Sequence, residues 1–279
     1  MNREDVRQYQ LAQLELMDAT DAICKELGIT YYLIGGTLLG AIRHKGFIPW
    51  DPDIDIAMPR ADYERFREYW SSTESDRYFY QHRTTEKNHL SPHALLRIKG
   101  THVVTNKQFT TYAPQYDGIY LDIFPLDTPP ADKKLQEKQM KKIKKIKRII
   151  QLKAGYIYDP NTGLIKRMMK AFVKYMLLPF SFPFLNKKLD AAMTKYNGCE
   201  SGFLVSMASH YSYWKQLMPK EVYGEPVYVE YEGKQYAAPA NTDDYLKRIY
   251  GDYMKLPPED SRYSDLDSIS HIDYGVKAQ

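Results

Sequence analysis

The chain has 279 residues, 43% of them apolar and 27% charged, which suits one large globular domain or a core with a substantial addition. Wholesale disorder, a collagen and a coiled-coil rod are excluded. The formal net charge is only +4, and two cysteines, Cys24 and Cys199, are too few for a disulfide scaffold or a four-thiolate zinc site, so they fit a reducing compartment. Tyrosine is abundant, at 25 residues, and its flat face and hydroxyl hint at recognition of sugar, nucleotide or cation.

Residues 3–27 carry apolar side chains at three- and four-residue spacing and predict an amphipathic helix stopped by Gly28. Residues 29–34 are β-branched and aromatic and predict a strand. Gly35 and Gly36 follow at once, then a short helix over 37–43 and a loop through Trp50. Residues 53–58 alternate like a half-buried strand ended by Pro59, and 61–70 predict a helix. Further strands are expected at 93–99, 101–105 and 118–124, the last closed by Pro125.

Composition then shifts. Residues 133–153 hold ten Lys or Arg against one acid, Glu137, and predict a long basic helix. Residues 164–185 continue as basic amphipathic sequence. Residues 228–237 read as a hairpin turning at Glu232-Gly233, and Thr242-Asp243-Asp244 caps a helix over 245–250. The polar tail from Pro257 reads as loosely held. The fold class expected is α+β, a mixed sheet flanked by helices. The expected divisions are a catalytic core over 1–128, a basic helical insertion over 129–220, and a hairpin and helix over 221–279 packing on the core. The N-terminus is polar, and the longest apolar run, residues 175–185, is half a bilayer span and holds two prolines. A cytoplasmic protein is expected, with peripheral membrane contact through the basic helices left open.

The chemistry-bearing segment is 33–58. Two glycines after a strand let the backbone turn and approach a phosphate, and the following helix aims its N–H groups at the same place. Asp53 and Asp55, two apart on a strand, share one face. Neighbouring carboxylates repel unless a cation sits between them, and a hard divalent ion held with substrate phosphates is the natural partner. Asp122, between Leu121 and Ile123 on an apolar strand, is the expected third carboxylate, as ligand or as base; Asp51 and Asp127 are lesser candidates. Arg43, His44 and Lys45 follow the glycines and are candidates for phosphate, with an exposed basic turn as the plain alternative. Arg97 is a candidate for pyrophosphate or for an ordinary salt bridge. Trp50 is a candidate to stack on a base or cover a cationic head group, or else a core residue. His93 reads as structural, Tyr31, Tyr32 and Tyr120 as strand packing, and Cys24 as buried.

Gly-Gly after a strand, then Asp-x-Asp, then a later strand Asp is the order of the nucleotidyltransferase superfamily. The run Gly35-Gly36-Thr37-Leu38-Leu39-Gly40-Ala41-Ile42-Arg43-His44-Lys45-Gly46-Phe47-Ile48-Pro49-Trp50-Asp51-Pro52-Asp53-Ile54-Asp55-Ile56 resembles the signature of the LicD family. Leu121-Asp122-Ile123-Phe124-Pro125-Leu126-Asp127 resembles its second motif, and the run from Tyr245 to Pro258 its third. Pro52 departs from the pattern where bacterial members usually carry another Asp. The resemblance implies a nucleotidyltransferase-like fold and transfer of a substituted phosphate from a CDP-activated donor to a glycan hydroxyl. LicD members are linked to phosphocholine decoration of teichoic acid, capsule and lipopolysaccharide, and fukutin-type relatives to ribitol phosphate. It further implies that Asp53, Asp55 and Asp122 hold Mg²⁺ or Mn²⁺, and that Gly35, Gly36 and Thr37 cradle phosphate.

CDP-choline is the donor the resemblance favours, although choline, ethanolamine, ribitol and glycerol phosphates all fit one such site. The acceptor expected is a glycan or lipid-linked oligosaccharide. Two other readings compete: a glycosyltransferase holding a metal–nucleotide sugar through Asp53 and Asp55, and a non-catalytic glycan-binding protein. No nucleic-acid partner is expected, because the basic helix lacks interleaved stacking aromatics.

Overall fold

A computed structural model describes residues 3–87, 89–105, 116–154, 163–259, 262 and 269–275. In chain order the elements are α1 (Arg3–Leu27), β1 (Tyr32–Leu33), α2 (Gly35–His44), β2 (Asp55–Pro59), α3 (Arg60–Ser72), β3 (Tyr78–Gln81), β4 (Ala94–Ile98), β5 (His102–Thr105) and β6 (Tyr120–Leu126). There follow α4 (Lys133–Ala154), α5 (Leu164–Met176), α6 (Phe182–Met193), a 3-10 turn (Thr194–Tyr196), β7 (Phe203–Val205), α7 (Tyr213–Gln216) and β8 (Leu217–Pro219). The chain closes with α8 (Lys220–Tyr223), β9 (Val227–Tyr231), β10 (Lys234–Ala238), α9 (Thr242–Tyr250) and β11 (Ile269–Asp273). The fold is α+β.

The central sheet runs β1-β2-β6-β4-β3, antiparallel except for the parallel pair β2 and β6. One face is apolar. Ile56, Leu121, Ile123 and Leu96 project there, and α3 covers them with Tyr63, Phe66 and Trp70, the Phe66 ring 6.0 Å from Tyr80. Burying these side chains fixes the register, because a one-residue slip would turn Asp55 and Asp122 into this core. The other face carries the acids, and α1 packs across it against β4 and β6. That helix buries Tyr9, Gln10, Gln13, Leu16 and Met17 along one stripe.

Several elements differ from expectation for local reasons. The strand expected over 29–34 shrinks to two residues, because Ile29 N–H closes α1 on the Cys24 carbonyl (2.8 Å) and Ile34 caps α2. Pro125 does not close β6, which runs on to Leu126: pairing with β4 ends at Ile123, so the missing N–H costs no bond on that edge. The amphipathic run 164–185 is two helices, parted at Pro179, with Ser181 capping α6 by accepting the Phe184 N–H. The tail is not loose throughout: β11 pairs antiparallel with β5, while residues 260–261, 263–268 and 276–279 lie outside the described part. The hairpin is as expected, with Glu232 (φ 52°) and Gly233 (φ 74°) both left-handed at its turn.

The hairpin turn also serves the loop before the acid strand. Glu232 accepts the Phe47 N–H (3.0 Å) and a two-point contact from Arg7 of α1. Gln10 donates to the carbonyls of Ile48 (3.2 Å) and Asp51 (3.0 Å), so α1 and the hairpin hold the 46–51 loop from two sides.

Candidate active site

The parallel ladder sets Asp55 opposite Asp122. Paired residues on neighbouring strands project to one face, so the two carboxylates stand side by side. Asp53 lies just ahead of β2, and its backbone and that of Asp55 are pinned from both sides. The Asp55 N–H donates to the Thr37 hydroxyl (2.8 Å), and that hydroxyl donates to the Asp53 carbonyl (3.4 Å). Ile34 N–H donates to the Asp55 carbonyl (3.1 Å), and Asp122 N–H to the Ile54 carbonyl (3.0 Å). Thr37, buried, therefore spends its hydroxyl on positioning the acids.

The two glycines admit carboxylates to the start of α2. At Gly35 (φ +57°) an added Cβ would stand 3.0 Å from Asp55 Oδ2, and at Gly36 it would stand 2.1 Å from Asp51 Oδ2. Helix starts carry partial positive charge and favour such neighbours. The Gly35 N–H donates to the hydroxyl of Tyr245 in α9 (3.2 Å), which ties the C-terminal helix to the site.

Crowding leaves its mark on Asp55. Burial, then the charges of Asp122, Asp53 and Asp51, hold its carboxyl well above the usual carboxylate range. Neighbouring phenols respond alike. The Asp53 charge and burial push Tyr120 up, and burial with Asp53 does the same to Tyr9 of α1. His93, read from sequence as structural, places Nε2 at 2.7 Å from Asp122 Oδ1 and lays its ring on Phe124 at 4.4 Å. Nothing local in the sequence marks that partnership.

Arg97 pairs with Tyr120 and so projects to the same face as Asp122, where it is buried. Its Nε donates to Gln81 (2.6 Å), another N–H to the Gly118 carbonyl (2.5 Å), and the guanidinium covers the Tyr120 ring at 5.0 Å. Burial lowers its pKa, partly offset by Tyr120 and Asp122. Its hydrogen bonds go to an amide and a carbonyl rather than to a carboxylate, and it stands as a buried cation on the acid face itself. Arg43 reaches the other way, donating to the Tyr253 carbonyl (2.7 Å) beyond α9. Trp50 is half-buried at the rim, edge-on to His44 (6.1 Å) and under the Arg262 guanidinium (5.1 Å). Asp127 is separate from the acid cluster. Wholly buried, it takes a two-point contact from Arg60 (2.7 Å each) and a bond from Asn197 (2.8 Å). Tyr31 and Tyr32 are buried in the core, as is Cys24.

Among the described residues no three His, Cys, Asp or Glu side chains already converge at metal-ligand distance. The donor chemistry nonetheless fits a hard divalent cation. Mg²⁺ is usually held by one or two carboxylates together with substrate phosphates, and Asp55 is a crowded carboxylate short of positive charge.

Comparison with known proteins shows the family. Residues 28–151, the segment from the end of α1 through β6 into α4, match the family described as LicD/FKTN/FKRP, nucleotidyltransferase domain. The lipopolysaccharide cholinephosphotransferase LicD of Haemophilus influenzae is 33% identical over 263 residues, which covers 94% of this chain and 96% of that protein. An uncharacterized protein of Rickettsia prowazekii is 37% identical over 68 residues, 22% of this chain and 26% of its own. Human ribitol 5-phosphate transferase FKRP is 47% identical over 36 residues, 13% of this chain and 7% of that protein. Because the likeness to the Haemophilus protein spans nearly the whole of both chains and the matched segment carries the glycine turn and all three acids, this chain belongs to the LicD family.

Proposed function

We propose that the chain transfers a substituted phosphate, phosphocholine before other head groups, from a CDP-activated donor to a hydroxyl of a cell-surface glycan such as lipopolysaccharide, teichoic acid or capsule. The observation that supports this best is the in-register pair Asp55 and Asp122, with Asp53 beside them and the glycine turn at the start of α2 overhead. The relatives named for cholinephosphate and ribitol 5-phosphate transfer point the same way.

In this reading Asp53, Asp55 and Asp122 hold Mg²⁺ or Mn²⁺. The cation, when bound, supplies charge that steadies the phosphate oxygens. The first turn of α2 faces the donor pyrophosphate with its N–H groups. The acceptor oxygen attacks the β-phosphorus in line, the bond to the bridging oxygen breaks, and CMP leaves with that oxygen. Asp122 either completes the cation site or, leaving the cation to Asp53 and Asp55, takes the hydroxyl proton; His93, with Nε2 at 2.7 Å from its Oδ1, orients the carboxylate. Trp50 and the Arg262 guanidinium over its ring stand at the rim, where the cytosine or the head group would enter.

A thermal-shift panel tests the assignment: CDP-choline, CDP-ethanolamine, CDP-ribitol, CDP-glycerol, CMP and UDP-glucose, each with and without Mg²⁺. A ligand at about 100 times its dissociation constant adds about 2.7 kcal/mol, which a melt resolves. One CDP donor, CDP-choline first, is expected to raise the midpoint only with metal. A response to UDP-glucose with none to any CDP compound gives the site to a glycosyltransferase instead.

We further place the protein in the cytoplasm, in peripheral contact with the inner membrane surface. Among the described residues no helix is long and apolar enough to cross a membrane. α5, however, turns Met168, Met169, Phe172, Tyr175 and Met176 to solvent, with Phe172 64% exposed, and its sequence carries Lys or Arg at 166, 167, 170 and 174 without an acid. A basic helix with its apolar side outward suits an anionic bilayer surface. The protein is expected to float with phosphatidylglycerol vesicles at physiological salt, and Met169→Ser/Phe172→Ser to stay behind. Wild type that does not float removes the membrane contact.

A further inference from the structure

A second concave site lies outside the acid cleft. Between α4 and residues 206–213 there is a cavity of about 720 Å³. Its α4 wall carries Lys144, Lys145 and Arg148, and among the described residues no carboxylate lines it. Cations on a basic helix are commonly just solvated, so their presence alone decides nothing. Three features separate this cavity from that case.

The first is how its opposite wall is built. Lys147 turns away from solvent and donates to the carbonyls of Met207 (2.6 Å), Ala208 (3.3 Å) and Ser209 (3.3 Å). One lysine is thus spent on fixing the 206–213 wall at a set distance from the other three cations. The second is an unmet polar group. Ser206, 2% exposed, lines the cavity, and among the described residues its hydroxyl has no hydrogen-bond partner. A buried unpaired hydroxyl is costly, and a bound acceptor or donor group recovers that cost. The third is position. Tyr211, on the cavity wall, donates to the Tyr250 hydroxyl (3.4 Å), and Tyr250 lies on α9, whose Tyr245 hydroxyl receives the Gly35 N–H at the acid cleft. α9 therefore borders the acid cleft through Tyr245 and the cationic cavity through Tyr250.

Cations without carboxylates select an anion, and several of them select phosphate over a single carboxylate. The side-chain hydroxyls of Ser206, Ser209, Ser212 and Tyr211 line the same cavity and suit the hydroxyls of a sugar ring. The cavity is of the size that encloses a small ligand. We propose that this cavity binds a phosphate-bearing sugar, the anionic portion of the glycan acceptor, and delivers the attacking hydroxyl across the Tyr211–Tyr250 pair. The inference rests on the transfer reading given above for its reaction, but its binding chemistry stands on the cavity alone.

Isothermal titration in phosphate-free buffer with glucose 6-phosphate, glucose and inorganic phosphate tests it. Glucose 6-phosphate is expected to bind at least tenfold more tightly than either of the others, more weakly as salt rises. The triple variant Lys144→Ser, Lys145→Ser, Arg148→Ser is expected to lose at least tenfold in that affinity. Its melting midpoint should match wild type, since all three side chains are exposed. Its midpoint shift with Mg²⁺ and CDP-choline should also match. Equal binding of glucose and glucose 6-phosphate, equal binding of inorganic phosphate and glucose 6-phosphate, or an unaffected variant overturns the proposal. Loss of the CDP-choline shift in the variant overturns it too, by giving the cavity to the donor. If wild type binds glucose 6-phosphate as expected but no CDP donor shifts it, the transfer reading fails and the anionic-sugar site remains.

Discussion

Asp55→Asn is expected to lower phosphate transfer by about a thousandfold or more, while raising the melting midpoint of the metal-free protein. The two effects have one cause. Burial and the charges of Asp122, Asp53 and Asp51 hold the Asp55 carboxyl well above its usual range. The folded protein therefore keeps that proton more tightly than the unfolded chain does. Stability from this group is fully present below the unfolded carboxylate pKa of about 3.9 and is lost as pH rises through the raised folded value. Above that unfolded value folding must either keep the group protonated or bury its charge, and asparagine removes that cost at almost constant shape. Cation binding has the opposite sign, since it needs the ionised group, so Mg²⁺ affinity should rise with pH. Melts in chelator and in Mg²⁺ from pH 5 to 9, with a transfer assay alongside, read both. A variant that melts below wild type in chelator, or keeps more than a tenth of the activity, contradicts this account of the cleft.

Asp127 should behave in the reverse way. Asp127→Ala is expected to cost about 3–5 kcal/mol of stability, a fall of about 10 °C in midpoint for a chain of this size, with turnover per folded molecule close to wild type. The carboxylate is wholly buried and takes both arms of Arg60 and the Asn197 amide. Burial disfavours the Arg60 charge, and the Asp127 carboxylate more than restores it, so the guanidinium is held above its usual range. Removing one partner strands the other. Arg60→Met/Asp127→Leu should recover much of the loss, because an apolar pair of similar volume leaves no charge uncompensated. Denaturant melts of the two variants decide it: equal losses in the single and double variants would mean that the Asn197 amide, stranded in both, rather than the ion pair, carries the stability.

These two aspartates show where sequence reading succeeds and where it stops. Asp55 was legible because its spacing from Asp53 and the upstream glycines follows from strand geometry. Asp127, in the same motif as Asp122, differs from it in what lies opposite, and Arg60 is 67 residues distant. His93 escaped for the same reason. It precedes β4, and only the antiparallel pairing of β4 with β6 brings it to Asp122. The glycine pair opens α2, and the groups it clears space for are Asp55 and Asp51, which no spacing rule could name.

What the sequence determined by itself was local. α1 and α4 follow from helical periodicity, the β9–β10 turn from the left-handed tolerance of Glu232-Gly233, and the shared face of the acid pair from the two-residue period of a strand. Only the tertiary structure decided the order β1-β2-β6-β4-β3, the docking of β11 on β5, the Tyr245 hydroxyl on the Gly35 N–H 210 residues away, and the cationic cavity beside α9. Periodicity reports which side of an element is buried. It carries no record of which distant element does the burying, because that choice is made by the packing of whole faces against one another.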